Sequence, residues 1–366
     1  MSTEPSLAHL RRYAVARTLF APTTLPAAIR RLGFLQADPI RAPARAQDLM
    51  LRHRVRDYRA GDLEQRYARL PIEEDALVNY GFLPREHLAL MHPRQARRAW
   101  DADTRRKAAD VLAFVRERGA VHPREVEQHF SHGRVQNYWG GSSNAGTQLL
   151  DGLHYRGQLR VQRRDSGTRV YELARHAPAD DSPAGTARRA AALIGLVVRL
   201  YAPLPAPSLT YLVRLLAGYG APHLAAQTQA ALRLAREHLA SQRIDGTTWY
   251  WPADENPRSH RYRVDDTLRL LAPFDPVVWD RRRFTLLWDW TYKFEAYTPA
   301  ARRRFGHYAL PMLWRGQVIG WANLSARAGQ LETTFGYASG SAPKDGAFRQ
   351  ALDEELQRMA QFLAAR

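Results

Sequence analysis

Cysteine is absent from all 366 residues. That excludes disulfides, thiolate metal sites, iron–sulfur clusters and cysteine nucleophiles. Lysine is nearly absent: Lys107, Lys293 and Lys344 are the only three, so arginine carries almost all of a formal net charge of +18. An excess of base over acid this large calls for a polyanionic partner, and the planar guanidinium fork suits phosphate. The chain also lacks an apolar N-terminal segment and any apolar run of membrane length, so a soluble intracellular protein with no membrane partner is expected. The arginines are spread along the sequence rather than gathered on one amphipathic helix, which disfavours a membrane surface as the anion. No phosphate-loop lysine follows the glycine-rich stretch Gly140 to Gly146, and no G-x-G-x-x-G follows a strand. His122, His129 and His132 cluster without a carboxylate or cysteine to complete a metal set, so no metal and no cofactor is expected. Gly336 to Gly340 approaches the G-x-S-x-G pattern without matching it.

What the sequence does contain is a repeated supersecondary pattern. A helix from about Asp103, its expected cap, to Glu117 precedes a short helix from His122. A third helix follows, with Leu149, Leu150 and Leu153 inward, then two alternating strands around Asp165-Ser166-Gly167. Three helices and a basic hairpin make a winged helix. The pattern recurs through Ala190 to Val197, Leu209 to Val213 and Ala231 to Ala235, ending in a hairpin around Asp245-Gly246. The first hundred residues start in the same way, with a strand from Phe34 to Asp38 and a helix from about Ala44 to His53. Ala177 to Gly185 reads as a linker. Beyond Asp254 the text turns β-rich, with strands over 308–314, 318–324 and 330–337 and a closing helix over 348–363. The expected fold is therefore α+β and helix-rich. Its expected domains are winged-helix modules at 1–100, 101–176 and 187–255, followed by an α+β domain at 256–366.

Winged helices read duplex DNA through the third helix and the wing. The candidate DNA contacts are Arg156, Arg160, Gln162 and Arg164 in the second module and Arg45 and Arg52 in the first. Trp249, Tyr250 and Trp251 could stack on bases, although aromatics in a hairpin more often pack internally. The candidate for chemistry is Gln36-Ala37-Asp38. Pro39 disfavours helical geometry at Asp38, so the segment is extended and Gln36 and Asp38 share a face, with Ala37 turned toward the body of the domain. A carboxylate beside a neutral amide can hold and activate one water.

The stretch Leu32-Gly33-Phe34-Leu35-Gln36-Ala37-Asp38-Pro39-Ile40, with Ala44-Arg45-Ala46-Gln47 after it, resembles a known family. So do Leu271-Ala272-Pro273-Phe274-Asp275-Pro276-Val277-Val278-Trp279-Asp280-Arg281, Phe294-Glu295-Ala296-Tyr297-Thr298-Pro299 and Tyr308-Ala309-Leu310-Pro311. Together, in order and over nearly the whole chain, they resemble the tandem winged-helix DNA glycosylases of the AlkZ and YcaQ type. The resemblance implies Asp38 and Gln36 as catalytic residues and double-stranded damaged DNA as partner. It also implies excision of alkylated purines and the unhooking of interstrand crosslinks. Family members often carry an aromatic-Trp-x-His segment, where this chain has Val78-Asn79-Tyr80-Gly81-Phe82-Leu83-Pro84-Arg85. The first 106 residues contain no lysine, which disfavours Schiff-base chemistry and leads to the expectation of a monofunctional glycosylase. A monomer, cytoplasmic and nucleoid-associated when bound to DNA, is also expected. The competing readings are a DNA-binding regulator without chemistry and a protein-interaction scaffold.

Overall fold

The computed structural model describes residues 4–130, 133–136, 142–176, 178–327 and 330–364. His132, Gly140, Gly141 and Ala177, which entered the readings above, lie outside the described residues. Contacts divide the chain into two compact units, Met1–Asp62 with Gly195–Leu212 and Leu234–Arg366, and Leu63–Ile194 with Val213–Arg233. This division follows contact density, whereas the four expected modules follow the repeat of supersecondary structure.

The fold is α+β, as expected. In the second unit, the helices Ala102–Arg118, Pro123–Phe130 and Ala145–Tyr155 precede the hairpin Leu159–Asp165 and Thr168–Leu173. The cap of the first helix is Asp101, not Asp103: its side chain accepts from Thr104 N, and Asp103 falls in the first turn. Val111, Val115, Leu150, Leu153 and Val161 are fully buried, so the apolar stripe read from the sequence is the core face. A second hairpin, Ile72–Ala76 with Tyr80–Pro84, is antiparallel and has no counterpart in the sequence reading. Its strand Glu73-Glu74-Asp75 is buried despite three consecutive acids.

Along the third repeat the order is Pro183–Tyr201, Ala206–Leu215, Ala225–His238 and the hairpin Ala240–Ile244 with Thr247–Trp251. The helix thus begins inside the expected linker. Asp245 and Gly246 both take positive φ, as their turn requires.

The first unit is built around the chain ends. Its C-terminal part is an antiparallel sheet in the order Arg269–Leu270, Leu310–Trp314, Gln317–Arg327, Gln330–Tyr337, with the closing helix at Gly346–Leu363. The helix Arg281–Trp288, also unread in the sequence, packs into one core with Leu10, Tyr13 and Ala14 of the helix Leu7–Thr18. Trp249 and Trp251 belong to that core, so the packing reading of these aromatics holds. Arg54 and Asp275, both fully buried, cross-link the early and late segments through a bidentate pair of 2.8 and 3.0 Å. Arg54 also donates to the carbonyls of Thr18 and Met50, so its donors are satisfied inside the core. Among the described residues, no helix is long and apolar enough to cross a membrane.

Candidate active site

Gln36 and Asp38 follow the helix Leu25–Leu32, which ends at Gly33 in the left-handed region (φ 76°), a conformation that favours glycine. The strand is short, Leu35–Gln36, and places Gln36 at 5% and Asp38 at 8% exposure, while Ala37 is half-buried. Gln36 and Asp38 are both buried while the intervening Ala37 is the more exposed, which corrects the expectation that Ala37 turns toward the body of the domain: the polar pair faces inward.

Each polar group is held at one end. Asp38 N–H donates to Gln47 Oε1 at 3.2 Å, from the helix Ala46–Leu51. Asp38 Oδ1 accepts from Ile40 N–H at 2.9 Å, the local turn that Asp-Pro favours. Gln36 Oε1 accepts from Trp279 Nε1–H at 2.6 Å, across 243 positions of sequence. An indole nitrogen can only donate, so it selects the oxygen of the amide and turns Gln36 Nε2 the other way. Among the described residues, neither Gln36 Nε2 nor Asp38 Oδ2 takes a protein partner. Gln36 Nε2 is thus left as a donor and Asp38 Oδ2 as an acceptor, two residues apart in the chain.

Trp279 is placed by the turn Asp275–Trp279. The carbonyl of Asp275 accepts from the N–H groups of Val278 and Trp279, and its carboxylate accepts from Val277 N–H while holding Arg54. The indole stacks on Tyr201 at 4.9 Å between centroids and meets Tyr211 at 6.4 Å. Trp279 was part of the resemblance, but nothing in the local sequence marks it as the partner of Gln36.

Burial raises the pKa of Asp38, an effect partly offset by the Ile40 N–H. Tyr308 is 2% exposed and its hydroxyl has no partner among the described residues. Burial, and next to it the negative charge of Asp38, hold its pKa above the usual phenol range. A raised carboxyl pKa makes the ionised Asp38 a better proton acceptor than an exposed aspartate.

The expected DNA-binding arginines fare differently. Arg160 donates to Glu73 Oε1 at 2.7 Å and pairs with Glu172, and Arg164 donates to both Glu74 oxygens at 2.6 and 2.5 Å. Glu73 and Glu74 are 3% and 1% exposed. These two wing arginines are corrected from outward-facing DNA contacts to partners of buried carboxylates. The physical reason is that an acidic strand can be buried only if each charge is met by a guanidinium. A register shift between Val161 and Arg163 interrupts the simple alternation assumed for the wing, and Gln162 accepts from Arg163 Nη1 at 2.6 Å. Arg52 is likewise corrected: it is nearly buried and pairs with Glu355. Arg156 lies over the Trp100 ring at 3.6 Å and donates to Gly152 O. Arg45 stands at the cap of the helix Ala46–Leu51, on the segment next to Asp38 in sequence. His122 accepts from Arg124 N–H, and His129 stacks on Phe114, so both have local structural roles.

The family model for DNA glycosylase AlkZ-like proteins matches residues 29–362. Among solved structures, the Streptomyces sahachiroi DNA glycosylase AlkZ is similar over the full length of both chains, with a TM-score of 0.61 and 13% identity. At that identity the likeness shows the fold. With the family match extending over nearly the whole sequence, the chain belongs to the AlkZ-like family of DNA glycosylases.

Proposed function

We propose that this protein is a monofunctional DNA glycosylase that hydrolyses the N-glycosidic bond of N7-alkylated purines in duplex DNA and unhooks crosslinks made through the same position. The observation that carries the reading is that Asp38 Oδ2 and Gln36 Nε2, two residues apart, both lack a protein partner among the described residues while the other end of each side chain is fixed. An N7-alkylated purine already bears positive charge, so it leaves with the bonding electrons as a neutral base and needs little acid help. The sugar becomes oxocarbenium-like, and the Asp38 carboxylate stabilises that charge. A water that donates to Asp38 Oδ2 and accepts from Gln36 Nε2 attacks C1′, and Asp38 takes its proton. The products are the free base and a hydrolysed abasic site with the strand intact. With Trp279 holding Gln36 Oε1, the Nε2 end of the amide is the one that meets the water, as a donor, and the base is the Asp38 carboxylate.

Neither Gln36 nor Asp38 has a lysine partner, which supports hydrolysis over Schiff-base chemistry. Arg45 is retained as a candidate phosphate contact from its place at the N-terminus of the helix whose Gln47 meets Asp38 N–H.

The test is incubation with duplexes carrying N7-methylguanine and with N7-crosslinked duplexes, followed by detection of free base and abasic sites. Release by the parent and not by Asp38→Asn is expected. Duplex binding with no release from either substrate would leave a DNA-binding regulator as the better reading.

A further inference from the structure

The loop after the helix Arg281–Trp288 presents the most exposed large aromatic among the described residues: Tyr297 is 81% exposed. A lone surface tyrosine is ordinary. This one is distinguished by how it is held and what lies under it. The Glu295 carboxylate, 4% exposed, accepts from the N–H groups of Phe305 and Gly306 at 2.7 and 3.3 Å. Thr298 N–H donates to Glu295 O at 2.9 Å, and Arg303 Nε–H donates to Thr298 O at 2.7 Å. Pro299 follows directly, and it restricts the backbone further. The loop that carries the ring is thus fastened at several points, while the ring itself is left in solvent.

Beneath it runs a ladder of edge-to-face contacts. Tyr297 meets Phe294 at 6.1 Å, and Phe294 meets Tyr308 at 5.3 Å and Phe274 at 5.1 Å. Tyr308 is the residue on whose hydroxyl Asp38 acts as the leading charge. The ladder therefore leads from the solvent down to the buried Tyr308 hydroxyl, which lies within electrostatic reach of Asp38. Exposed Lys293, Arg302 and Arg304 flank it in sequence and give this stretch a positive charge that suits a phosphate backbone.

We propose that Tyr297 stacks into the base step next to the lesion, opening the duplex so that the sugar can approach Asp38. This rests on the glycosylase reading and adds the means of access. An intercalating aromatic is sequence-tolerant, because every base offers a π-face, and it kinks the duplex without flipping a tethered base. That suits a crosslinked nucleotide, which cannot be extruded freely.

The experiment compares the parent, Tyr297→Ala and Tyr297→Phe in single-turnover excision of N7-methylguanine from duplex and from single strand. A second arm follows the fluorescence of 2-aminopurine placed next to the lesion, at saturating protein. Expected are about a tenfold or greater loss for Tyr297→Ala on duplex and a smaller loss on single strand. Tyr297→Phe should stay within about threefold of the parent, and 2-aminopurine should brighten with the parent and with Phe but not with Ala. Equal thermal melting of all three proteins is expected from a side chain so exposed. Excision by Tyr297→Ala at the parent rate, or an equal loss with Phe and Ala, would overturn the proposal. Binding by a parent that releases no base would count against the glycosylase reading instead, and the fluorescence arm would still decide the stacking.

Discussion

Replacing Trp279 by Phe removes one hydrogen bond and keeps an aromatic ring against Tyr201. In the parent, the indole N–H meets Gln36 Oε1 at 2.6 Å and thereby chooses which end of the amide is left without a protein partner. A neutral hydrogen bond of this kind contributes about 1 kcal/mol net, and an acceptor left buried without a partner costs about 1–3 kcal/mol. Gln36 is 5% exposed, so water gives its oxygen little relief. In Trp279→Phe the amide is free to turn, and the donor that holds the water is present for only part of the time. A loss of about 1 kcal/mol in the transition state corresponds to about a fivefold slower single-turnover excision. The reasoning is tested by a cycle with Gln36→Ala. In that background the indole has nothing to orient, so Trp279→Phe should add almost no further loss, a coupling of about 1 kcal/mol. Rates are compared at saturating protein and well below the melting temperature of each variant. An equal loss in both backgrounds would show that Trp279 acts through packing, and the donor-only role of Gln36 would fall with it.

Asp38→Asn should abolish excision and leave duplex affinity within a few fold, as read by base release and by binding titration; undiminished activity would remove Asp38 from the chemistry. Because burial raises its pKa, the acid limb of the rate profile should have its midpoint above the ordinary value of 3.8. The sign for stability is opposite to that of a salt-bridged carboxylate. The contribution is present below the unfolded pKa and lost as pH rises through the raised folded one, so Asp38→Asn should melt no lower than the parent at neutral pH. Asp275→Ala strands the fully buried Arg54 guanidinium and should cost about 3–5 kcal/mol in urea unfolding. A change below 1 kcal/mol would mean that water or another group reaches Arg54. Arg164→Ala should lower stability by about 3 kcal/mol by leaving the buried Glu74 carboxylate with the Tyr80 hydroxyl but no guanidinium. If it instead flattened the salt dependence of duplex binding by about one unit with no loss of stability, Arg164 would belong on the phosphate backbone. Borohydride should trap no protein–DNA adduct during turnover. A trapped adduct that disappears in Lys293→Ala would make that lysine the nucleophile and Asp38 a supporting charge.

Much of the architecture was legible in the chain itself. The helices ending in Gly-bearing hairpins at Ser166-Gly167 and Asp245-Gly246 rest on local periodicity and on turn residues that tolerate positive φ. The shared side of Gln36 and Asp38 follows from an extended backbone before Pro39. These patterns are local, and each involves residues within a turn or two of one another. What tertiary structure alone decided involves partners far apart in sequence. The wing arginines look free until the strand Glu73-Glu74-Asp75 is brought against them, because a charge reads as exposed wherever its counter-charge lies elsewhere in the sequence. The same holds at the site. Sequence placed an amide beside a carboxylate but could not say which end of that amide is open. The choice is made by a tryptophan 243 positions away, held by a turn whose Asp275 carboxylate grips Arg54 in the core, and only chain closure sets that distance.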